Sequence, residues 1–229
     1  MTTDEALTRT DASDAVEALG WRYLLGALAT TVVVPSLRAA VDVATAAAQA
    51  CGPDADEHLR LDLRSDRVEV VLQPAAGGRV TARDVRLARR VTDAVRAAGF
   101  DVTAHPAGRS VQALEIAIDA LEPTAVRPFW KAVLGYVDAP GAAAAGPLAD
   151  PARQGPQVWF QQMDAPRPQR NRMHIDITVP HDEADRRIRA ALAAGGVLVG
   201  DAAAPAFRVL ADIEGNEVCV STWQGRDPA

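Results

Sequence analysis

Apolar and polar residues change period along this chain, and the changes mark its elements. "DASDAVEALGWRYL" opens on Asp and Ser capping residues and spaces Ala15, Val16 and Leu19 along one helical face. "ALATTVVV" is β-branched and predicts a strand. Pro35 and Ser36 start "PSLRAAVDVATAAAQACG", where Leu37, Ala40, Val41 and Ala44 predict the apolar stripe of a helix ending at Gly52. "HLRLDLRSDRVEVVLQ" alternates as two strands turning near Ser65 and Asp66. Gly77 and Gly78 break the chain. In "TARDVRLARRVTDAVRAAG", Thr81 is the N-cap, Asp84 stands at N3, and Val85, Leu87, Ala88, Val91 and Val95 make the apolar face. "DVTAHPAGRS" has turn composition and no periodicity. A linker is expected at 101–111, between a domain at 1–100 and a second at 112–229.

The second half repeats itself weakly. "LEIAIDA" alternates as a strand and "EPTAVRPFWKAVLGY" reads as a helix ending at Gly135; "MHIDITV" and "HDEADRRIRAALAAGG" do the same again. From Glu115 and from His174, which take the same place in the two strands, the closing glycine lies about 20 residues on, the length of one strand, one turn and one helix. Short strand candidates follow each helix: "QVWFQQMD", then "FRVLAD" and "EVCVSTW". A βαβββ unit used twice is the economical reading. The stretch 138–157, rich in Ala, Gly and Pro, predicts a mobile loop in the first copy.

Side chains alternate across a strand, so each strand divides its residues between a helix-packed face and an open face. Leu114, Ile116 and Ile118 fall on the helix side, and Glu115, Ala117 and Asp119 on the open side. His174, Asp176 and Thr178 take the open side of the second copy. Val218, Val220 and Thr222 fall to the helices, leaving Glu217, Cys219, Ser221 and Trp223 open. Val158 and Phe160 suit the helix side, which aims Trp159 and Gln161 at the open face. If the sheet curls, these faces line one cavity with polar groups among aromatic walls, as small-molecule pockets do. Glu115, Trp159, Gln161, His174, Asp176, Cys219 and Trp223 are therefore the expected ligand-binding set.

Composition narrows the function classes. The chain has 229 residues, 48% apolar, with a formal net charge of −6 and pI near 5.2. That balance argues against a general phosphate-backbone binder, so no nucleic acid partner is expected. Arg supplies the positive charge, Lys131 being the only lysine. Two cysteines, Cys51 and Cys219, make no disulfide framework or zinc knuckle. The acidic, polar N-terminus is unlike a signal peptide, and no apolar run approaches a membrane span. A cytoplasmic protein is expected, with no membrane partner and with homodimerisation left open. The basic strip "RPQRNR" before the second repeat reads as a solvated loop or as a clamp for an acidic ligand.

"PFWKAVLGY", "NRMHIDITV" and "DIEGNEVCVSTW" make residues 112–226 resemble the vicinal oxygen chelate superfamily of glyoxalases, ring-cleaving dioxygenases and drug-binding resistance proteins. The resemblance implies a curved sheet of paired modules around a cavity. In metal-using members it also implies a first-strand and a last-strand ligand from each module. The matching places here hold Glu115, His174, Gln161 and Cys219. A Glu–Gln–His–Cys set matches no common site, so no cofactor is expected; a divalent metal, if held, would fall to Glu115 and His174.

"GWRYLLGAL", "SLRAAVDVATAAA", "HLRLDLRSDRVEVVL" and "GGRVTARDVRLARRV" make residues 14–100 resemble pterin-4a-carbinolamine dehydratase. The implied reaction is loss of water from 4a-hydroxytetrahydropterin, which needs a general acid and base near the C4a hydroxyl. The family builds its site on a His-His-Pro run and a later Thr-His. This chain reads "EHL", with Glu57 in the first place, His58 keeping the second and Leu59 replacing Pro, and "LQPAAGG" holds no histidine. His58 is the expected catalytic residue, with Glu57 as an alternative base and Asp62 or Arg64 as alternative pterin contacts. Acid–base groups contribute about 10²–10⁴-fold each, so this departure implies a scaffold that has lost most of its activity.

The expected fold is α+β: an N-terminal antiparallel sheet with helices on one face, then paired βαβββ modules forming a curved sheet around a cavity. The expected function is binding of a small molecule, pterin-like or another metabolite. An active dehydratase and a metal-dependent lyase or isomerase are the alternatives.

Overall fold

The structure is a computed structural model describing residues 5–74, 79–106, 110–166 and 173–225. The glycine break at 77–78 and the "RPQRNR" strip lie outside the described residues. The chain divides into two compact units, Met1–Ala113 and Leu114–Ala229. No described helix is long and apolar enough to cross a membrane.

The first unit runs α1 (Arg9–Glu17), β1 (Arg22–Leu24), β2 (Ala27–Val33), α2 (Leu37–Cys51), α3 (Ala55–His58), β3 (Leu59–Leu63), β4 (Arg67–Leu72), α4 (Ala82–Ala97) and β5 (Val102–Thr103). Its antiparallel sheet has the order β1-β2-β4-β3, with β5 also paired to β2. The predicted hairpin turn falls between β3 and β4, where Leu63 opposes Val68. Val68, Val70 and Leu72 alternate into a core shared with Val85, Leu87, Ala88, Val91 and Val95 of α4. Each valine or leucine of this set, fully buried, contributes about 1.5–3 kcal/mol. Trp21 is fully buried, and its indole N–H donates to Thr92 Oγ1 at 2.8 Å.

Two expectations change here. α2 buries Ala40, Val43, Ala47 and Cys51, while Leu37 and Val41 stay about half exposed. An alanine-rich helix has little apolar contrast, so its sequence fixes its facing poorly. Val102 and Thr103, placed in the linker by composition, pair with Val32 and Thr31. A two-residue strand is too short to show a period.

The second unit contains the two βαβββ modules. The first is β6 (Glu115–Ala120), α5 (Pro123–Leu134), β7 (Val137–Asp138), β8 (Leu148–Ala149) and β9 (Gln157–Gln162); its sheet order is β6-β9-β8-β7. The second is β10 (Asp176–Thr178), α6 (His181–Ala193), β11 (Val197–Gly200), β12 (Phe207–Ala211) and β13 (Glu217–Ser221); its order is β10-β13-β12-β11. One core joins the modules: Val126, Phe129, Trp130 and Val133 of α5 meet Ala184, Ile188 and Ala191 of α6 above strand residues from both sheets.

The predicted loop at 138–157 contains β8, and side-chain hydrogen bonds brace it at Gly146 and over 150–155. The Asp150 carboxylate accepts from the backbone N–H groups of Ala152, Gln154 and Gly155 at 2.9, 2.9 and 2.7 Å. Burial pushes its pKa up, but those donors outweigh it and hold the group below its ordinary value. Arg127 Nε reaches Gly146 O at 2.7 Å. Hydrogen bonds of this kind leave no hydrophobic period in the sequence.

The "DIEGNE" loop between β12 and β13 fastens module two to module one. Asp212, 2% exposed, accepts from Trp130 Nε1 and Asn216 Nδ2 at 2.9 Å each, and from the backbone of Glu214 and Asn216 at 2.9 and 3.0 Å. Glu214 accepts from the N–H groups of Leu121 and Glu122, both at 2.8 Å, at the start of α5. At its other end Arg187 donates to Val133 O at 3.2 Å. The second module thus holds the two residues that lead into α5 and one carbonyl of its last turn.

Candidate functional site

His58 ends α3 and is 8% exposed. Its Nδ1 lies 2.7 Å from Asp84 Oδ1. Asp84 stands in the first turn of α4, fully buried, and its other oxygen accepts from Thr81 N at 2.8 Å and Thr81 Oγ1 at 2.9 Å. The capping box that begins α4 is therefore also the group that orients the imidazole. Nε2 of His58 has no partner among the described residues and is the atom free to exchange a proton with a bound molecule. Sequence reasoning read Asp84 only as a cap. The signal it left unused was a histidine–acid pair far apart in sequence but meeting at two element ends.

Glu57 is exposed beside His58. Asp62 and Arg64 do not belong to this site. They bond to each other at 2.9 Å near the β3–β4 turn, and Asp62 is about 13 Å along the chain from His58 by strand rise. His105 is exposed and contacts Ser110 Oγ at 2.6 Å and Arg22 Nη2 at 3.3 Å.

In the second unit the face alternation follows the expected register except at Leu114, expected on the helix side but 68% exposed just before β6, and at Ser221, expected open but buried at the end of β13. Ile116, Ile118, Val158 and Phe160 pack on the core in the first module, as do Ile175, Ile177, Val218 and Val220 in the second. Glu115, Gln161, His174 and Asp176 are exposed, and Trp159 is half-buried. Parallel pairing sets Glu115 opposite Gln157, Ala117 opposite Trp159 and Asp119 opposite Gln161. In the other sheet Asp176 stands opposite Cys219.

Two members of the expected set sit differently. Cys219 is 7% exposed, because β13 lies inside its sheet and Asp176 and Val209 flank the cysteine on both sides. Trp223 lies beyond the end of β13, where alternation no longer sets its direction. Its indole meets His181 at the start of α6 edge-on, with Nε1 3.2 Å from His181 Nδ1, and is 59% exposed.

The four places matched to ligands lie on different segments of the second unit. Glu115 is on β6, His174 precedes β10, and Cys219 is buried in the second sheet. Among the described residues no three His, Cys, Asp or Glu side chains gather to hold one ion.

Residues 5–94 match the family model for pterin 4 alpha carbinolamine dehydratase, and residues 115–221 match that for the glyoxalase-like domain. The chain joins a pterin dehydratase-like domain to a glyoxalase-like domain. His58 and Asp84 lie in the first, and the Glu115, Trp159, Gln161, Asp176 and Cys219 faces in the second. No curated protein matches the chain. Similar solved structures include a transcriptional coactivator/pterin dehydratase from Brucella melitensis, 24% identical over 39% of this chain and 98% of that one, with TM-score 0.35. A glyoxalase/bleomycin resistance protein from Albidiferax ferrireducens is 18% identical over 47% and 95%, with TM-score 0.38. A glyoxalase/dioxygenase from Nostoc punctiforme is 16% identical over 53% and 99%, with TM-score 0.37.

Proposed function

We propose that this protein binds a small molecule on the open sheet faces of its glyoxalase-like domain, and that its dehydratase-like domain supports only slow loss of water from 4a-hydroxytetrahydropterin. One observation carries the second statement: the buried His58–Asp84 pair. A carboxylate at Nδ1 fixes the imidazole's orientation and tautomer and leaves Nε2 to act, the arrangement that general acid–base catalysis uses. His58 then protonates the departing C4a hydroxyl, which leaves as water. A partner must take a proton from the pterin ring, and the family's other histidine places hold none here, with exposed Glu57 nearest in sequence. The reaction retains one positioned group and loses the benefit of the others.

Turnover of 4a-hydroxytetrahydropterin by the wild-type chain and by His58→Ala tests this. Slow turnover abolished by the substitution is expected. Robust turnover abolished by it would identify a full dehydratase, and turnover indifferent to it would place the chemistry elsewhere. For the glyoxalase-like domain, half-buried Trp159 beside Ala117 offers a stacking surface with Glu115 and Gln161 on the same face. Fluorescence of the full chain screened against small metabolites, repeated in Trp159→Phe, reads binding there. No metabolite-dependent change that requires Trp159 would remove this half of the reading.

A further inference from the structure

The outer face of the N-terminal sheet, turned away from α2 and α4, carries a second built surface. Strand register puts Thr31, Glu69 and Asp62 in one row across β2, β4 and β3. Alternation puts Arg67 and Arg64 on the same face, one row nearer the hairpin turn. Two carboxylates thus stand directly opposite one another, and two guanidinium groups occupy the next row. Like charges placed directly opposite across strands are destabilising. Local pairing answers only part of this: Arg64 binds Asp62 at 2.9 Å, Arg67 binds Asp66 at 3.1 Å, and the Glu69 carboxylate takes no hydrogen bond among the described residues.

Beyond β5, Val111 N donates to Ala104 O at 2.9 Å. Ser110 and Gln112 help to wall a cleft of about 310 Å³ over the charged rows, and Thr31 also lines it. That volume is at the small end of ligand cavities. Thr31 is 1% exposed, and its Oγ1 is the buried side-chain polar atom without a hydrogen-bond partner among the described residues. Its neighbour Thr30 shows the contrast, donating to Gly20 O at 2.7 Å. A buried hydroxyl left unpaired is destabilising, and valine would fill the same space without that cost. An orphan hydroxyl, an opposed acid pair and an adjoining arginine pair converge on one cleft.

We propose that this cleft binds a small zwitterion of the amino-acid class. Its carboxylate lies toward Arg64 and Arg67, its ammonium lies between Glu69 and Asp62, and the Thr31 hydroxyl bonds to it. The ammonium relieves the acid–acid opposition, and the pairing of both signs in adjacent rows separates this site from a simple anion or cation site. It is distinct from the His58 site, which lies at the opposite end of β3 on the helix side of the sheet.

Isothermal titration of the full chain against the proteinogenic L-amino acids tests the proposal, with inorganic phosphate and putrescine as single-sign probes. At least one amino acid is expected to bind once per chain, more tightly than either probe. Glu69→Gln and Arg67→Ala should each weaken that binding about tenfold or more, the scale of one lost charge-assisted hydrogen bond. Thr31→Val should weaken it too, while raising the melting temperature of the ligand-free protein, so failure to fold is not mistaken for failure to bind. The proposal is overturned if no amino acid binds at millimolar concentration, if phosphate or putrescine binds as well as the best amino acid, or if Glu69→Gln and Arg67→Ala leave affinity unchanged.

Discussion

Replacing Asp84 with alanine removes one acceptor from two structures at once. The carboxylate closes the capping box at Thr81 and holds His58 Nδ1 at 2.7 Å. Loss of a cap costs about 1 kcal/mol, within a range of roughly 0.5–2. A buried donor left without its partner costs about 1–3 kcal/mol more. Together these give about 2–4 kcal/mol for Asp84→Ala, on the order of 10 °C in melting temperature for a unit of this size. Asp84→Asn separates the two roles. Its amide oxygen can still accept from Thr81 N, so the stability loss should be smaller. Its amide N–H group then meets His58 Nδ1, reversing the tautomer, so slow pterin turnover should still be lost. Hydrogen exchange of peptides from α4 reads the stability of this unit apart from its neighbour, and turnover reads the imidazole. If Asp84→Ala costs less than about 1 kcal/mol and leaves α4 protection unchanged, the coupled reading of cap and histidine is wrong.

Asp212→Ala should destabilise the second unit by about 3 kcal/mol, since it strands the buried Trp130 indole and two part-buried backbone donors; urea denaturation checks this, and a change under 1 kcal/mol contradicts it. Burial pushes the Cys51 thiol from its ordinary 9.0 to about 11, so a disulfide reagent at pH 8 should modify it only in unfolded protein. Because the folded-state pKa is the raised one, the stability tied to this thiol is full below about pH 9 and is lost as pH climbs toward 11, which unfolding measured across that window would show. Elemental analysis of purified protein should find well under one Zn, Fe or Mn per chain, because a Glu–Gln–His–Cys set matches no common site; about one, lost in Glu115→Ala or His174→Ala, would overturn this.

Local pattern alone determined the order of most elements, the repeated βαβββ unit and the core faces of β6, β9, β10 and β13. Strand alternation has a period of two and no freedom to drift, so Ile118, Phe160, Ile177 and Val220 announce their sides directly. His58 was singled out by the resemblance of "EHL" to the dehydratase family's histidine run, not by this pattern. Local pattern could not supply Asp84's second role, because a capping residue and an imidazole partner look alike in sequence and only the meeting of α3 with α4 distinguishes them. Nor could it orient α2, whose alanines carry too little contrast, or place Trp223, which lies past the last strand residue. The Asp150 turn rests on side-chain hydrogen bonds that carry no hydrophobic period, and the Asp212–Trp130 bond and the burial of Thr31 rest on residues distant in sequence, which only the tertiary fold brings near.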